Sequence, residues 1–178
     1  WAFHSVPEIS GVFLAMDPHN GRIFAMQGGV DSHLSDFNRA TQAERRVGST
    51  INPFFYAASL DNGMTPATMV PDTPYCVYQC AALGNKGFRN FENEGGGGEH
   101  TMRWGLEQSR NLMTVHIAAD IGMENVTGTL SRFGIGNYQN YLSIALGAGD
   151  STVERMTNAY SALFDHGTIV ANTVKTDL

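Results

Sequence analysis

The sequence predicts a mixed α/β (α+β) chain, an N-terminal β-hairpin followed by a largely helical region. Three observations carry this. Asn20-Gly21 lies between two short apolar runs, and this pair tolerates the positive φ angles of a tight hairpin turn. Later stretches place apolar residues at helical spacing and begin with residues able to cap a helix. The 178 residues, 42% hydrophobic and 16% charged, suit about one domain with its own core and argue against wholesale disorder.

Taken in order, residues 9–17 and 22–28 are the hairpin strands, joined by Pro18-His19-Asn20-Gly21. Residues 30–43 are polar and broken, and read as a connection. Residues 49–60 turn helical. Pro53 falls in the first turn, where its missing N–H is not needed, and Asn62-Gly63 closes the helix. Residues 64–99 carry Pro66, Pro71, Pro74 and four consecutive glycines at 95–98, and are expected to be irregular. No strand-like run precedes those glycines and no Lys-Ser/Thr follows, so they read as a flexible surface loop rather than a phosphate cradle.

Helices then resume. Thr101 can cap a helix over 102–108, and residues 112–121 are apolar nearly all round, as in a buried central helix. Met123, Val126, Leu130 and Phe133 repeat at helical spacing. Ser151-Thr152-Val153-Glu154 has the capping-box pattern. It should open a helix with Val153, Met156, Tyr160, Leu163 and Phe164 on one face, stopped by Gly167. Residues 168–170 are β-prone.

Composition excludes several partners. A formal charge of −6 removes the attraction on which sequence-independent nucleic-acid binding depends, so no nucleic acid is expected. No apolar run approaches the ~20 residues that span a bilayer, so the chain itself is expected to make no membrane contact. Residues 1–10 lack a signal-peptide pattern, which places any export signal outside the chain. Cys76 and Cys80 are compatible with a local disulfide or with two free thiols. His4, His19, His33, His100, His116 and His166 are scattered and read as surface or capping residues. With no histidine pair at ligand spacing, no metal and no cofactor are expected.

The chemistry-bearing segment is Gly48-Ser49-Thr50-Ile51-Asn52-Pro53-Phe54, a serine at the start of a helix. Unpaired N–H groups and the positive end of the helix can stabilise an oxyanion beside such a hydroxyl. A plain N-cap serine is the alternative.

Further segments follow it in order: Leu60-Asp61-Asn62-Gly63-Met64-Thr65-Pro66, Leu106-Glu107-Gln108-Ser109-Arg110-Asn111, Ala145-Leu146-Gly147-Ala148-Gly149 and Thr157-Asn158-Ala159-Tyr160-Ser161. Phe37-Asn38-Arg39-Ala40-Thr41-Gln42-Ala43 precedes it, after the hairpin. Together they resemble the transpeptidase domain of class A (bifunctional) penicillin-binding proteins. The resemblance implies a serine β-lactamase-like fold, of which residues 1–178 form an incomplete part, hairpin plus helical region. It implies peptidoglycan D,D-transpeptidation. A serine attacks the carbonyl next to a terminal D-Ala, D-Ala leaves, and an amine from a neighbouring strand resolves the acyl-enzyme. β-Lactams mimic the D-Ala-D-Ala end. Carried over, Ser49 is the nucleophile, Ser109 relays a proton and Asn111 holds the substrate amide. Stem peptides and β-lactams are the implied partners. The implied location is periplasmic, on the outer face of a bacterial inner membrane, in a parent protein with a membrane anchor and a glycosyltransferase domain.

Two departures stand out. Asn52 occupies the position of the family's general-base lysine, and an amide can hydrogen-bond but cannot take a proton. Lys175-Thr176-Asp177 imitates the third motif, Lys-Thr/Ser-Gly, but carries Asp in place of Gly and comes too soon after Ser109-Arg110-Asn111. The chain is thus expected to stop before that motif's strand. The sequence leaves two readings open, an impaired transpeptidase or a catalytically inactive relative that at most binds stem peptide weakly.

Overall fold

The computed structural model describes residues 9–31, 33–80, 84–90 and 96–170. Contacts group them into two compact units, one of the described residues within 1–45, 132–136 and 150–178, the other of those within 46–131 and 137–149.

In the first unit, β1 (Phe13–Met16) and β2 (Ile23–Gln27) form the expected antiparallel hairpin, with Phe13 opposite Gln27 and a register shift between Ala15 and Met16. The turn closes where Asn20-Gly21 predicts it. Gly21 has φ +70 and its N–H donates to the Asp17 carbonyl, while the Asp17 N–H donates to the Arg22 carbonyl. Asp17 also accepts from the His19 N–H and the Asn20 amide. The described residues of 30–43 form no helix or strand. β3 (Arg45–Arg46) is a two-residue strand at the unit's edge.

The second unit begins with a 3-10 turn, Gly48–Ile51, that runs directly into α1 (Asn52–Asp61), with Pro53 in the first turn. Gly63 at φ +90 closes α1, and the Met64 N–H returns to the Ser59 carbonyl. The stretch expected to be irregular is more ordered than that. β4 (Met69–Pro71) pairs antiparallel with β7 (Glu99–Thr101), and β5 (Tyr75–Cys80) with β6 (Gly84–Phe88). The β4 partner lies about thirty positions away, and three-residue strands are too short to show period-2 alternation. The glycine run also departs from a free loop at Gly96. A Cβ there would lie 1.5 Å from the Asp72 carbonyl oxygen, and the Asp72 N–H donates to the Gly98 carbonyl at 2.9 Å. Gly95 lies outside the described residues. Cys76 is a free, exposed thiol.

Thr101 caps α2 (Met102–Glu107) as its sequence predicts, accepting from the Trp104 N–H at 3.3 Å. α3 (Asn111–Ile121) is the central helix and packs on α1, α2, β4, β5 and β6. Leu112, Met113, Val115, Ile117 and Ala118 are all buried, which explains its all-round apolar sequence. In α4 (Met123–Arg132), Met123, Val126 and Leu130 are buried, and Phe133 lies just past its end. A second 3-10 turn, Leu142–Leu146, packs on α3.

Returning to the first unit, β8 (Asp150–Ser151) leads into α5 (Val153–Phe164), which packs on β1. The cap of α5 is Thr152, which accepts from the Arg155 N–H at 3.2 Å, not Ser151 of the capping-box pattern. Ser151 instead donates to the buried carbonyl of Ile135 at 2.6 Å. The helix face differs too. Ala159, Ser161 and Ala162 are buried, while Tyr160 and Phe164 are exposed. Small side chains let the helix backbone approach its neighbours closely, and the large ones are left outside. Gly167, at φ +90, donates to the Ala162 carbonyl three residues after α5 has ended. Residues 168–170 form no strand.

His19 pairs with Asp165 at 2.8 Å and packs on the Phe164 ring, and His100 stacks on Trp104 with centroids 3.8 Å apart. His116 meets the Thr73 hydroxyl and carbonyl, whereas His4 lies outside the described residues. No helix among the described residues is long and apolar enough to cross a membrane.

Candidate active site

The site is built in the second unit where the start of α1 meets the turn between α2 and α3. Ser49 lies in the 3-10 turn, exposed, and the Asn52 N–H donates to its carbonyl. That spacing puts both residues on one face, one turn apart. Asn52 is 3% exposed, and its Nδ2 donates to Ser109 Oγ at 3.2 Å. Residues 57 positions apart are thereby joined.

Ser109 occupies an unusual place. α2 ends in a Schellman turn. The Arg110 N–H donates to the Gly105 carbonyl at 2.9 Å and the Ser109 N–H to the Leu106 carbonyl at 3.1 Å. The residue after the cap must be left-handed, and glycine is the ordinary choice. Here it is Ser109, with φ +52, at a cost of about 1–2 kcal/mol. Asn111 opens α3, half-buried. Neither Ser49 nor Asn111 makes a side-chain hydrogen bond to the Asn52–Ser109 pair among the described residues. Lys175-Thr176-Asp177 lies outside the described residues.

The turn that carries Ser49 is anchored on Gly147 and Gly149, which in the sequence stand out only through the family resemblance. The Val47 N–H donates to the Gly149 carbonyl at 3.1 Å and the Gly48 N–H to the Gly147 carbonyl at 3.2 Å. Gly147 has φ +68, and a Cβ on it would come within 2.2 Å of the Gly48 carbonyl oxygen. Only glycine fits there. The Gly-x-Gly pattern at 147–149 was the available signal.

Tyr56, on α1, sets its hydroxyl against Gly105 of α2, 2.7 Å from where a Cβ there would lie. Burial pushes its hydroxyl up to about 12; the neighbouring Thr114 hydroxyl opposes this and the Asp72 charge adds to it. Its oxygen has no hydrogen bond of full geometry among the described residues. Thr114 donates instead to the Arg110 carbonyl at 3.1 Å. No group of three or more His, Cys, Asp or Glu residues placed to hold a metal occurs among the described residues. Chemically, the Asn52 amide meets one hydroxyl, that of Ser109, and the Asn52 N–H meets the backbone carbonyl of Ser49.

The family model for the penicillin binding protein transpeptidase domain matches residues 11–175. The chain belongs to this family. Penicillin-binding protein 1A of Rickettsia typhi is 38% identical to it over 168 residues, 94% of this chain and 21% of that protein. Penicillin-binding protein 1A of Escherichia coli K12 is 34% identical over 172 residues, 96% of this chain and 20% of that one. The chain thus spans about a fifth of the length of these curated relatives. The crystal structure of penicillin-binding protein 1A from Haemophilus influenzae superimposes with a TM-score of 0.88 at 30% identity, covering 97% of this chain and 26% of that one. The mixed helix-and-strand architecture is therefore that of the penicillin-binding transpeptidase fold, as a partial domain. PonA1 of Mycobacterium tuberculosis, solved in complex with penicillin V, shares the fold at a TM-score of 0.78 and 23% identity, over 90% of this chain and 45% of that one.

Proposed function

We propose that residues 1–178 are part of a peptidoglycan D,D-transpeptidase domain in which Ser49 is the acyl-accepting nucleophile, Ser109 the proton relay and Asn111 a ligand of the substrate amide. The observation that carries this is the hydrogen bond from Asn52 to Ser109, which joins the two family segments at one place. In the reaction, Ser49 Oγ bonds to the carbonyl carbon beside the terminal D-Ala and the C–N bond to D-Ala breaks. The hydroxyl proton passes by way of Ser109 to the leaving amine. An amine of a second stem peptide then displaces Ser49, whose oxygen recovers a proton. A β-lactam opens on the same serine without a departing amine, so the adduct persists. The domain works on the extracytoplasmic face of a bacterial inner membrane, within a parent protein that carries the anchor and a glycosyltransferase domain.

Asn52 makes this chain slow. General-base assistance is worth about 10²–10⁴ in rate, and an amide supplies none. The same residue favours a second reading, an inactive relative that binds stem peptide weakly. Incubation with a fluorescent penicillin, followed by intact-protein mass spectrometry, separates them. The transpeptidase reading expects a slowly accumulating adduct that Ser49→Ala abolishes. No adduct, or one that survives Ser49→Ala, favours the inactive relative.

A further inference from the structure

A buried carboxylate outside the segments quoted for the family resemblance is paired with Arg110, the residue that follows Ser109. Asp72 follows β4, and its side chain is 1% exposed. One oxygen, Oδ2, accepts from both Arg110 Nε at 2.9 Å and Arg110 Nη2 at 2.6 Å. The other, Oδ1, accepts from Asn90 Nδ2 at 3.0 Å. Asn90 Oδ1 in turn accepts the Leu112 backbone N–H at 3.0 Å, inside the first turn of α3. The residue after Ser109 and the start of α3 are therefore tied to a single carboxylate. The carboxylate is itself fixed, since the Asp72 N–H bonds Gly98 and Gly96 packs on the Asp72 carbonyl. On the far side, the Arg110 guanidinium lies 5.8 Å from the Trp104 ring centroid, which clamps the turn back onto α2.

We infer that Asp72 is a positioning residue: through Arg110 and Asn90 it holds Ser109 in the left-handed conformation that presents its hydroxyl to Asn52. A serine in left-handed backbone relaxes unless its neighbours over-determine it. A buried carboxylate–guanidinium pair contributes little net stability, because desolvating both charges offsets most of their attraction. Such a pair is better explained by the geometry it imposes than by the stability it adds. That Ser109 serves catalysis rests on the function proposed above, whereas the positioning itself does not.

Amide hydrogen exchange on the unmodified chain, Asp72→Asn and Asn90→Ala tests the positioning directly. In Asp72→Asn the Ser109 and Arg110 amides should exchange roughly tenfold faster or more, while the Phe55 and Ala58 amides of α1 keep their protection. Asn90→Ala leaves the Arg110 pair in place and should show the same local pattern more weakly. It also serves if Asp72→Asn does not fold. Uniform acceleration across α1, α2 and α3 would reduce Asp72 to a general stabiliser and overturn the inference. So would unchanged exchange at Ser109 and Arg110 in both variants. A second arm reads function. In an Asn52→Lys background, Asp72→Asn should slow penicillin acylation about tenfold or more with penicillin affinity little changed, as expected when only geometry is lost. A background that never acylates refutes the proposed function, and the exchange pattern alone then decides the role of Asp72.

Discussion

On the proposed function, replacing Asn52 by lysine puts an amine beside Ser109, and its effect can be worked from the site. Asn52 is 3% exposed and reaches Ser109 Oγ at 3.2 Å, so an introduced ammonium would sit largely out of water beside the Ser109 hydroxyl. At an unshifted pKa near 10.4, only about 10⁻³ of molecules would hold a free amine near pH 7.4, cancelling most of the benefit. Burial disfavours the charged form and lowers that pKa, by up to several units at fully buried sites. General-base help of about 10²–10⁴ corresponds to roughly 3–5 kcal/mol of barrier. Acylation of Ser49 by a fluorescent penicillin should therefore rise by about 10² or more in Asn52→Lys. Its rate should climb with pH up to the lysine pKa and level off above it. Stability should move as follows. The folded pKa lies below the unfolded one, so the unfolded chain binds more protons between the two values. The variant's deficit is then full below the folded pKa and fades as pH rises toward about 10.4. The assay is an intact-mass time course from about pH 6 to 9, with Asn52→Met as a control of similar shape and no basic group. A folded Asn52→Lys no faster than the chain with Asn52, or a gain matched by Asn52→Met, would refute the argument.

Three further substitutions probe the second unit. Gly147→Ala drives a methyl to within 2.2 Å of the Gly48 carbonyl oxygen at a φ of +68. It should cost about 3 kcal/mol or more in a denaturant melt and abolish any Ser49 adduct. Gly63→Ala, at φ +90 but facing open space, should cost only about 1–2 kcal/mol of backbone strain. Tyr56→Phe removes a buried hydroxyl that has no hydrogen bond of full geometry, and should stabilise the chain by about 1 kcal/mol near neutral pH. Because Tyr56 ionises near 12 when folded and near 10 when unfolded, the unfolded state loses its proton first. Stability should fall by about 1.4 kcal/mol per pH unit across that window, and this component should vanish in Tyr56→Phe.

Local signals were enough wherever a residue's partners lie within a turn or two along the chain. Asn20-Gly21 determined the hairpin because Gly21 takes the left-handed φ and the Asn20 side chain bonds Asp17 and Arg22, all within the turn. Thr101 determined the start of α2 because a cap bonds two or three residues ahead. The apolar circumference of α3 announced a buried helix before its neighbours were known. Ser49 stood out by its place at a helix start, whereas Asn52, Ser109 and Asn111 were legible as site candidates only through the resemblance. Only the tertiary structure decided what depends on residues distant in sequence. β4 finds β7 about thirty residues away, and nothing in Met69-Val70-Pro71 specifies that partner. Ser151 and Thr152 are both competent caps, and the Ile135 carbonyl, out of reach of any local pattern, chose between them. Gly96 and Gly147 read as generic glycines until the backbones of Asp72 and Gly48 occupy the space a side chain would need. The left-handed Ser109 and the carboxylate of Asp72 that steadies it belong to the same class. Their meaning lies in a contact between segments, and the free energy that selects it appears only once both have folded.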